Sequence, residues 1–165
     1  MEQFDKFLDR LESDQIAFRS SLKGCTDDEI TALEAKYSLT LPASYRAYLS
    51  IMGRRSGRLL THDHYAASYE HVLNLTEDYS EDWDAGAHAE LPEDALVILG
   101  RLGDQFLMIR CLAPDDSPVW YFNEYETDIR REYSSVLDWL DSLAAEAEHA
   151  IQSGYYNTYP GGTGP

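Results

Sequence analysis

The sequence is short of several things, and each shortage excludes a class of protein. Only two cysteines occur in 165 residues, Cys25 and Cys111, with no CxxC pair and no histidine at zinc-finger spacing. A disulfide scaffold and a Cys-ligated zinc fold are therefore excluded, and two reduced, partly buried thiols are expected. Sequence spacing alone leaves a single bridge between them open. Long apolar runs are missing too: none approaches the ~20 residues of a membrane-spanning helix. The N-terminus, MEQFDKFLDR, is charged and periodic, without the apolar centre of a cleavable signal. A cytoplasmic protein is expected. Basic residues are scarce, 13 against 30 acids, for a net charge of −17. Such a surface repels nucleic acid and anionic lipid, so neither is an expected partner.

Catalytic motifs are missing as well. The chain has no G-x-S-x-G elbow, P-loop, dinucleotide fingerprint or H-E-x-x-H. Acid pairs such as Asp27-Asp28, Glu81-Asp82 and Asp115-Asp116 are too common in so acidic a chain to mark an acid–base site. His62-Asp63-His64, with His71 beyond it, is the nearest approach to a metal motif, and it reads as a polar loop or strand end. No enzyme activity, catalytic residue, metal or cofactor is expected.

What remains is ordinary folding grammar. Apolar residues make up 44%, enough for one domain with its own core. Residues 4–20 predict a first helix, with Phe4, Phe7, Leu8, Leu11 and Phe18 near one face and Gly24 as the stop. Thr26 and Glu29 have capping-box spacing and open a second helix carrying Ile30, Leu33 and Tyr37. Pro42 forbids helical geometry at Leu41 and suits the first turn of a third helix, with Tyr45, Tyr48, Leu49 and Met52 on one stripe. Leu59 and Leu60 suggest a short strand. Residues 66–84 fit a helical stripe through Tyr69, Val72, Leu73, Tyr79 and Trp83, or a loop-rich excursion. From residue 95 the period changes: ALVILG, QFLMIRCL and VWYFN read as three strands of an antiparallel meander. Ser134 or Ser135 caps a last helix with Val136, Leu140, Leu143 and Ala147 on one stripe. Helices, then strands, then a helix define an α+β fold: N-terminal helices and a C-terminal helix around an antiparallel sheet. The domain is set at residues 1–153. The Gly- and Pro-rich segment 154–165 is read as a mobile tail unless something holds Tyr155, Tyr156 and Tyr159.

The order of these signals resembles a known family. Thr26, Glu29, Ile30, Leu33 and Glu34 are followed by Leu41, Pro42, Tyr45, Tyr48, Leu49 and Gly53. Leu91-Pro92, Gly103-Asp104, Pro118 to Tyr121, and Ser135 with Trp139 and Leu140 come after. Over residues 20–145 this pattern is similar to the SUKH superfamily, which includes fungal cell-wall assembly regulators and many bacterial immunity proteins. The resemblance implies an α+β fold and a binding role, with no catalytic residues to carry over. It implies an immunity protein that neutralises a cognate bacterial toxin, here a basic one such as a nuclease. The alternative is a non-enzymatic scaffold of the cell-wall regulator type. The loop Gly53-Arg54-Arg55-Ser56-Gly57 is more basic than the family pattern.

Charge distribution directs attention to a surface. Residues 61–95 contain ten Asp or Glu and no Lys or Arg, and 124–150 contain eight acids against Arg130 and Arg131. Complementary charge speeds encounter with a basic protein, and aromatic side chains ringed by acid suit its docking. The expected partner-binding residues are Asp78, Tyr79, Glu81, Asp82, Trp83 and Asp84, with Glu124 and Glu126 in a second cluster beside Tyr121, Phe122 and Tyr125.

Overall fold

The computed structural model describes residues 2–61, 63–81 and 89–158, apart from the side chains of residues 80, 81 and 158. Helix α1 spans Glu2–Ser13 and is followed by a 3-10 turn, Arg19–Ser21. Next come α2 (Asp27–Tyr37), α3 (Ala43–Met52), strand β1 (Tyr65–Ala66) and α4 (Tyr69–Glu81). Strands β2 (Ala95–Arg101), β3 (Gln105–Arg110), β4 (Val119–Asn123) and β5 (Arg130–Tyr133) precede α5 (Val136–Gln152) and the short α6 (Tyr155–Thr158). The α+β class and the antiparallel sheet agree with the sequence.

Helix α1 stops well short of residue 20. Gln15 adopts a left-handed conformation (φ 58°), and the Ile16 and Gln15 amides donate to the Leu11 and Glu12 carbonyls at 2.8 and 3.2 Å. This is a Schellman end, with buried Ile16 beside buried Leu11. Phe18 therefore leaves the predicted stripe and is 43% exposed. Helix α2 closes the same way at Ser38 (φ 54°) and opens on the predicted capping box, Glu29 N–H to Thr26 Oγ1 at 3.3 Å and Thr26 N–H to Glu29 Oε2 at 2.8 Å.

Glu34 joins α2 to α3. Its carboxylate accepts the Leu41 N–H at 2.8 Å and pairs with Arg46 across the helix hairpin. Burial pushes the Glu34 carboxyl up, but the Arg46 and Leu41 hydrogen bonds outweigh it and hold the group below its ordinary value. The start of α3 is tied to the β3–β4 loop: Ala43 and Ser44 amides donate to Pro114 and Asp115 carbonyls at 2.8 and 3.0 Å. Asp116 Oδ1 accepts from Ser44 Oγ (2.6 Å), Ser117 N–H (2.8 Å) and Val136 N–H (3.3 Å), so one oxygen serves α3, the loop and the first residue of α5.

The sheet order is β1-β2-β3-β4-β5, antiparallel throughout. The predicted three-strand meander is its centre, and the structure adds an edge strand on each side. Leu59 and Leu60 lie in a turn, and the extended pair comes later, at Tyr65–Ala66. Alternation along the strands sends Leu96, Leu107, Ile109 and Val119 into a large core with Leu11, Ile30, Leu33, Leu49, Trp139 and Leu143 from the helices. Ala95, Val97, Met108 and Phe122 form a smaller core with Tyr79 of α4. Both faces of β2 are thus covered, which explains its unbroken apolar run. A bulge between Val97 and Leu99 sets Ile98 and Leu99 both into the larger core.

Both cysteines are free thiols, Cys25 buried and Cys111 half-buried. Burial pushes them up to about 11 and about 12. Among the described residues no helix is long and apolar enough to cross a membrane. Of the three C-terminal tyrosines, Tyr156 is held: its hydroxyl sits 3.0 Å from Thr61 Oγ1 and 3.2 Å from the Arg58 carbonyl, with the Arg58 guanidinium over its ring. Tyr155 stacks on it edge-on, and Tyr159 lies outside the described residues.

Candidate functional site

The two acidic segments singled out in the sequence meet at one end of the sheet. Tyr79, near the end of α4, packs edge-on against Phe106 of β3 (5.2 Å) and Phe122 of β4 (4.7 Å). Its hydroxyl donates to the Ala89 carbonyl at 3.0 Å. Burial, with the Glu124 carboxylate nearby, pushes this phenol up to about 12. Tyr79 is only 6% exposed, so it is a core aromatic that fastens α4 to the sheet and not a surface anchor. Asp78 beside it is exposed. Glu81 is the last residue of α4 with its side chain undescribed, and Asp82, Trp83 and Asp84 lie outside the described residues.

The aromatic anchor in the described surface is Tyr125, 75% exposed, between half-buried Glu124 and exposed Glu126. The Glu124 N–H donates to the Asp104 carbonyl at 2.8 Å, which sets this loop against the β2–β3 hairpin. At the hairpin tip Leu102 is 61% exposed and has φ 55°, a left-handed conformation that a bulky residue rarely adopts. Leu102 and Tyr125 are thus the exposed apolar side chains of two loops tied together by the Glu124–Asp104 hydrogen bond, flanked in sequence by Asp104, Glu124 and Glu126. Sequence reasoning missed Leu102: a lone leucine before Gly103-Asp104 is an ordinary turn flank.

A cleft of about 190 Å³ opens beside this end, between the sheet and α5. Its floor includes Leu99, Leu107, Leu143 and buried Trp139, with Tyr65, Tyr121 and Tyr133 as walls. Glu132, Glu146, Arg101 and Gln105 stand at its edge. Tyr65 donates to Glu146 Oε2 at 2.8 Å. Arg101 is neutralised by Asp63 at 2.7 Å and held by Gln105 at 2.9 Å. Arg130 lies 4.0 Å from the centre of the Tyr121 ring and pairs with Glu132 (3.3 Å) and Glu126 (3.8 Å). Tyr65 and Tyr133 are both pushed up, first by burial and then by neighbouring carboxylates, Glu146 among them.

The basic loop after α3 is spent on the fold. Arg54 pairs with Glu29 and Glu70, Arg55 Nε donates to the Ser21 carbonyl at 2.7 Å, and Arg58 caps the Tyr156 ring. In the His-Asp-His segment, Asp63 is engaged by Arg101 and by the His64 N–H (2.7 Å), and His62 lies outside the described residues. Among the described residues no three His, Cys, Asp or Glu side chains are grouped to hold a metal ion.

The family model of SMI1 / KNR4 (SUKH-1) matches residues 24–142, more than half of the chain and all of the segment from α2 to the first turns of α5. The chain belongs to the SMI1/KNR4 family. Compared singly with curated proteins, it matches none. The SMI1/KNR4 match includes both the acidic end of the sheet and most of the cleft lining, while α1 and α6 fall outside it.

Proposed function

We propose that this SMI1/KNR4 chain is an immunity protein that neutralises a cognate basic protein toxin, such as a nuclease, by binding it without catalysis. The supporting observation is the convergence at the loop end of the sheet. Tyr79 packs the end of α4 on Phe122 of β4, next to the β4–β5 loop with its exposed Tyr125, and that loop is tied to the β2–β3 hairpin, at whose tip Leu102 is exposed. An apolar centre with a charged rim is the usual anatomy of a protein interface. Acids around it accelerate encounter with a basic partner and oppose nucleic acid. In this reading the partner-binding residues are Tyr125, Leu102, Glu124, Glu126 and Asp78, and Tyr79 acts by positioning them.

The test is co-expression with any toxin reading frame found adjacent to this gene. Restored growth together with co-purification of the two chains is the expected result. If the chain binds no neighbouring toxin and rescues nothing, the immunity role is wrong and the scaffold role takes its place.

A further inference from the structure

We propose that Leu102 is a preformed knob that inserts into an apolar socket on the protein partner, and that the turn keeps an ill-suited residue in order to present it; this names what the partner offers at the site proposed above and rests on that reading. Conformation comes first. Leu102 and Gly103 are the central residues of the β2–β3 turn, with φ 55° and 87°, and the Asp104 N–H donates to the Arg101 carbonyl at 3.3 Å. Positive φ at both central positions is what a type I′ turn requires, and it favours Asn-Gly, Asp-Gly or Gly-Gly. Gly103 meets that demand without strain. Leu102 does not: its Cβ crowds the backbone in the left-handed region, and it has no short polar side chain to bond the turn. Packing does not compensate. Leu102 is 61% exposed and belongs to neither apolar core. Folding alone favours asparagine or glycine here, so the leucine serves something outside the chain.

Rigidity comes second. On one flank of the turn, Arg101 Nε donates to Asp63 Oδ2 at 2.8 Å and Arg101 Nη1 to Gln105 Oε1 at 2.9 Å. On the other, the Asp104 carbonyl accepts the Glu124 N–H at 2.8 Å. A side chain begun at Gly103 would meet no atom beyond its chain neighbours within 4 Å, so the tip stands clear of the described residues. A residue held in place before docking loses little freedom when it docks, which is what makes a small contact effective. Surroundings come third. Arg101 is neutralised by Asp63, whereas Asp104 and Glu124 flank the tip as carboxylates. An apolar tip beside acids fits a socket that is apolar at its floor and basic at its rim.

The test uses the full chain and reads stability and binding in the same variants. Leu102→Asn is expected to raise the Tm by about 2–4 °C, because asparagine suits the left-handed position. Against the toxin that co-purifies with the chain, the same change is expected to raise Kd about ten-fold or more, through faster dissociation. Leu102→Met keeps the apolar bulk and is expected to recover most of that affinity. A Tm that falls or stays unchanged in Leu102→Asn overturns the proposal, because the leucine would then serve the fold. If a toxin binds and its Kd is indifferent to Leu102→Asn, the knob assignment falls and the toxin assignment stands. If no adjacent toxin binds at all, the immunity reading falls and the knob falls with it.

Discussion

The ring of Tyr79 stands edge-on to Phe122 at 4.7 Å, and Phe122 stacks on Phe106 at 5.2 Å. This triad is the centre of the smaller core and the fastening of α4. Tyr79→Ala is expected to cost about 3–5 kcal/mol in urea unfolding, as for other buried aromatics. Tyr79→Phe keeps the ring and removes the hydroxyl that donates to Ala89, about 1 kcal/mol. Equal losses in the two variants would show that the ring is not what holds the helix.

Glu34 gives a second measurable loss. Glu34→Ala leaves the Leu41 amide and Arg46 without their acceptor, in a carboxylate site whose side chain is 16% exposed. Loss of about 1–3 kcal/mol is expected, and Glu34→Gln should recover part of it by still accepting the Leu41 N–H. Thermal or urea unfolding of both variants measures the difference.

Acid should destabilise the protein through a definite set of carboxylates. Glu29 is held at about 2, first by Arg54 and next by the Thr26 N–H. Asp94 is held below its ordinary value chiefly by Arg110, and Asp138 by the Ser134 amide and hydroxyl. A folded-state value below the unfolded one gives stability that is complete above the unfolded carboxylate range, near pH 4–5, and is lost as pH falls through the folded values. The Tm followed by circular dichroism should therefore drop between about pH 5 and pH 2. Arg54→Met should lower the Tm at neutral pH and reduce the size of that acid drop.

The acidic end of the sheet predicts a kinetic signature. With a cognate basic partner in hand, the triple change Glu124→Gln, Glu126→Gln and Asp128→Asn should slow association about ten-fold at low salt and flatten its salt dependence. Tyr125→Ala should act instead on dissociation, costing about 2 kcal/mol or more of affinity if it is the central anchor. Tyr125→Ala should change folding stability by no more than about 0.5 kcal/mol, since its side chain is on the surface. Stopped-flow binding and urea unfolding separate these effects.

Much of the fold was legible because local chemistry and packing agree there. Thr26 and Glu29 announce a capping box that forms, and ALVILG announces a strand buried on both faces. The end of α1 was hidden because Gln15, not glycine, takes the left-handed position. Strand β5 was hidden because Arg130 to Tyr133 carry no apolar alternation; backbone pairing to β4 makes them a strand. At the candidate site, composition marked the acids but not their orientation. Tyr79 and Tyr125 have similar acidic neighbours, yet one is 6% exposed and the other 75%. Only the packing of α4 on Phe122 separates them, and that contact joins residues 43 positions apart in sequence.

The shared oxygen of Asp116 bears on how the domain breathes. Ser44 and Val136 lie far apart in the chain, yet both donate to Asp116 Oδ1. Neither helix start can fray without disturbing the other's acceptor. Amide exchange at Ala43, Ser44 and Val136 should therefore report a common opening free energy, so that the first turns of α3 and α5 behave as one cooperative unit well inside the range spanned by the loose termini and global unfolding.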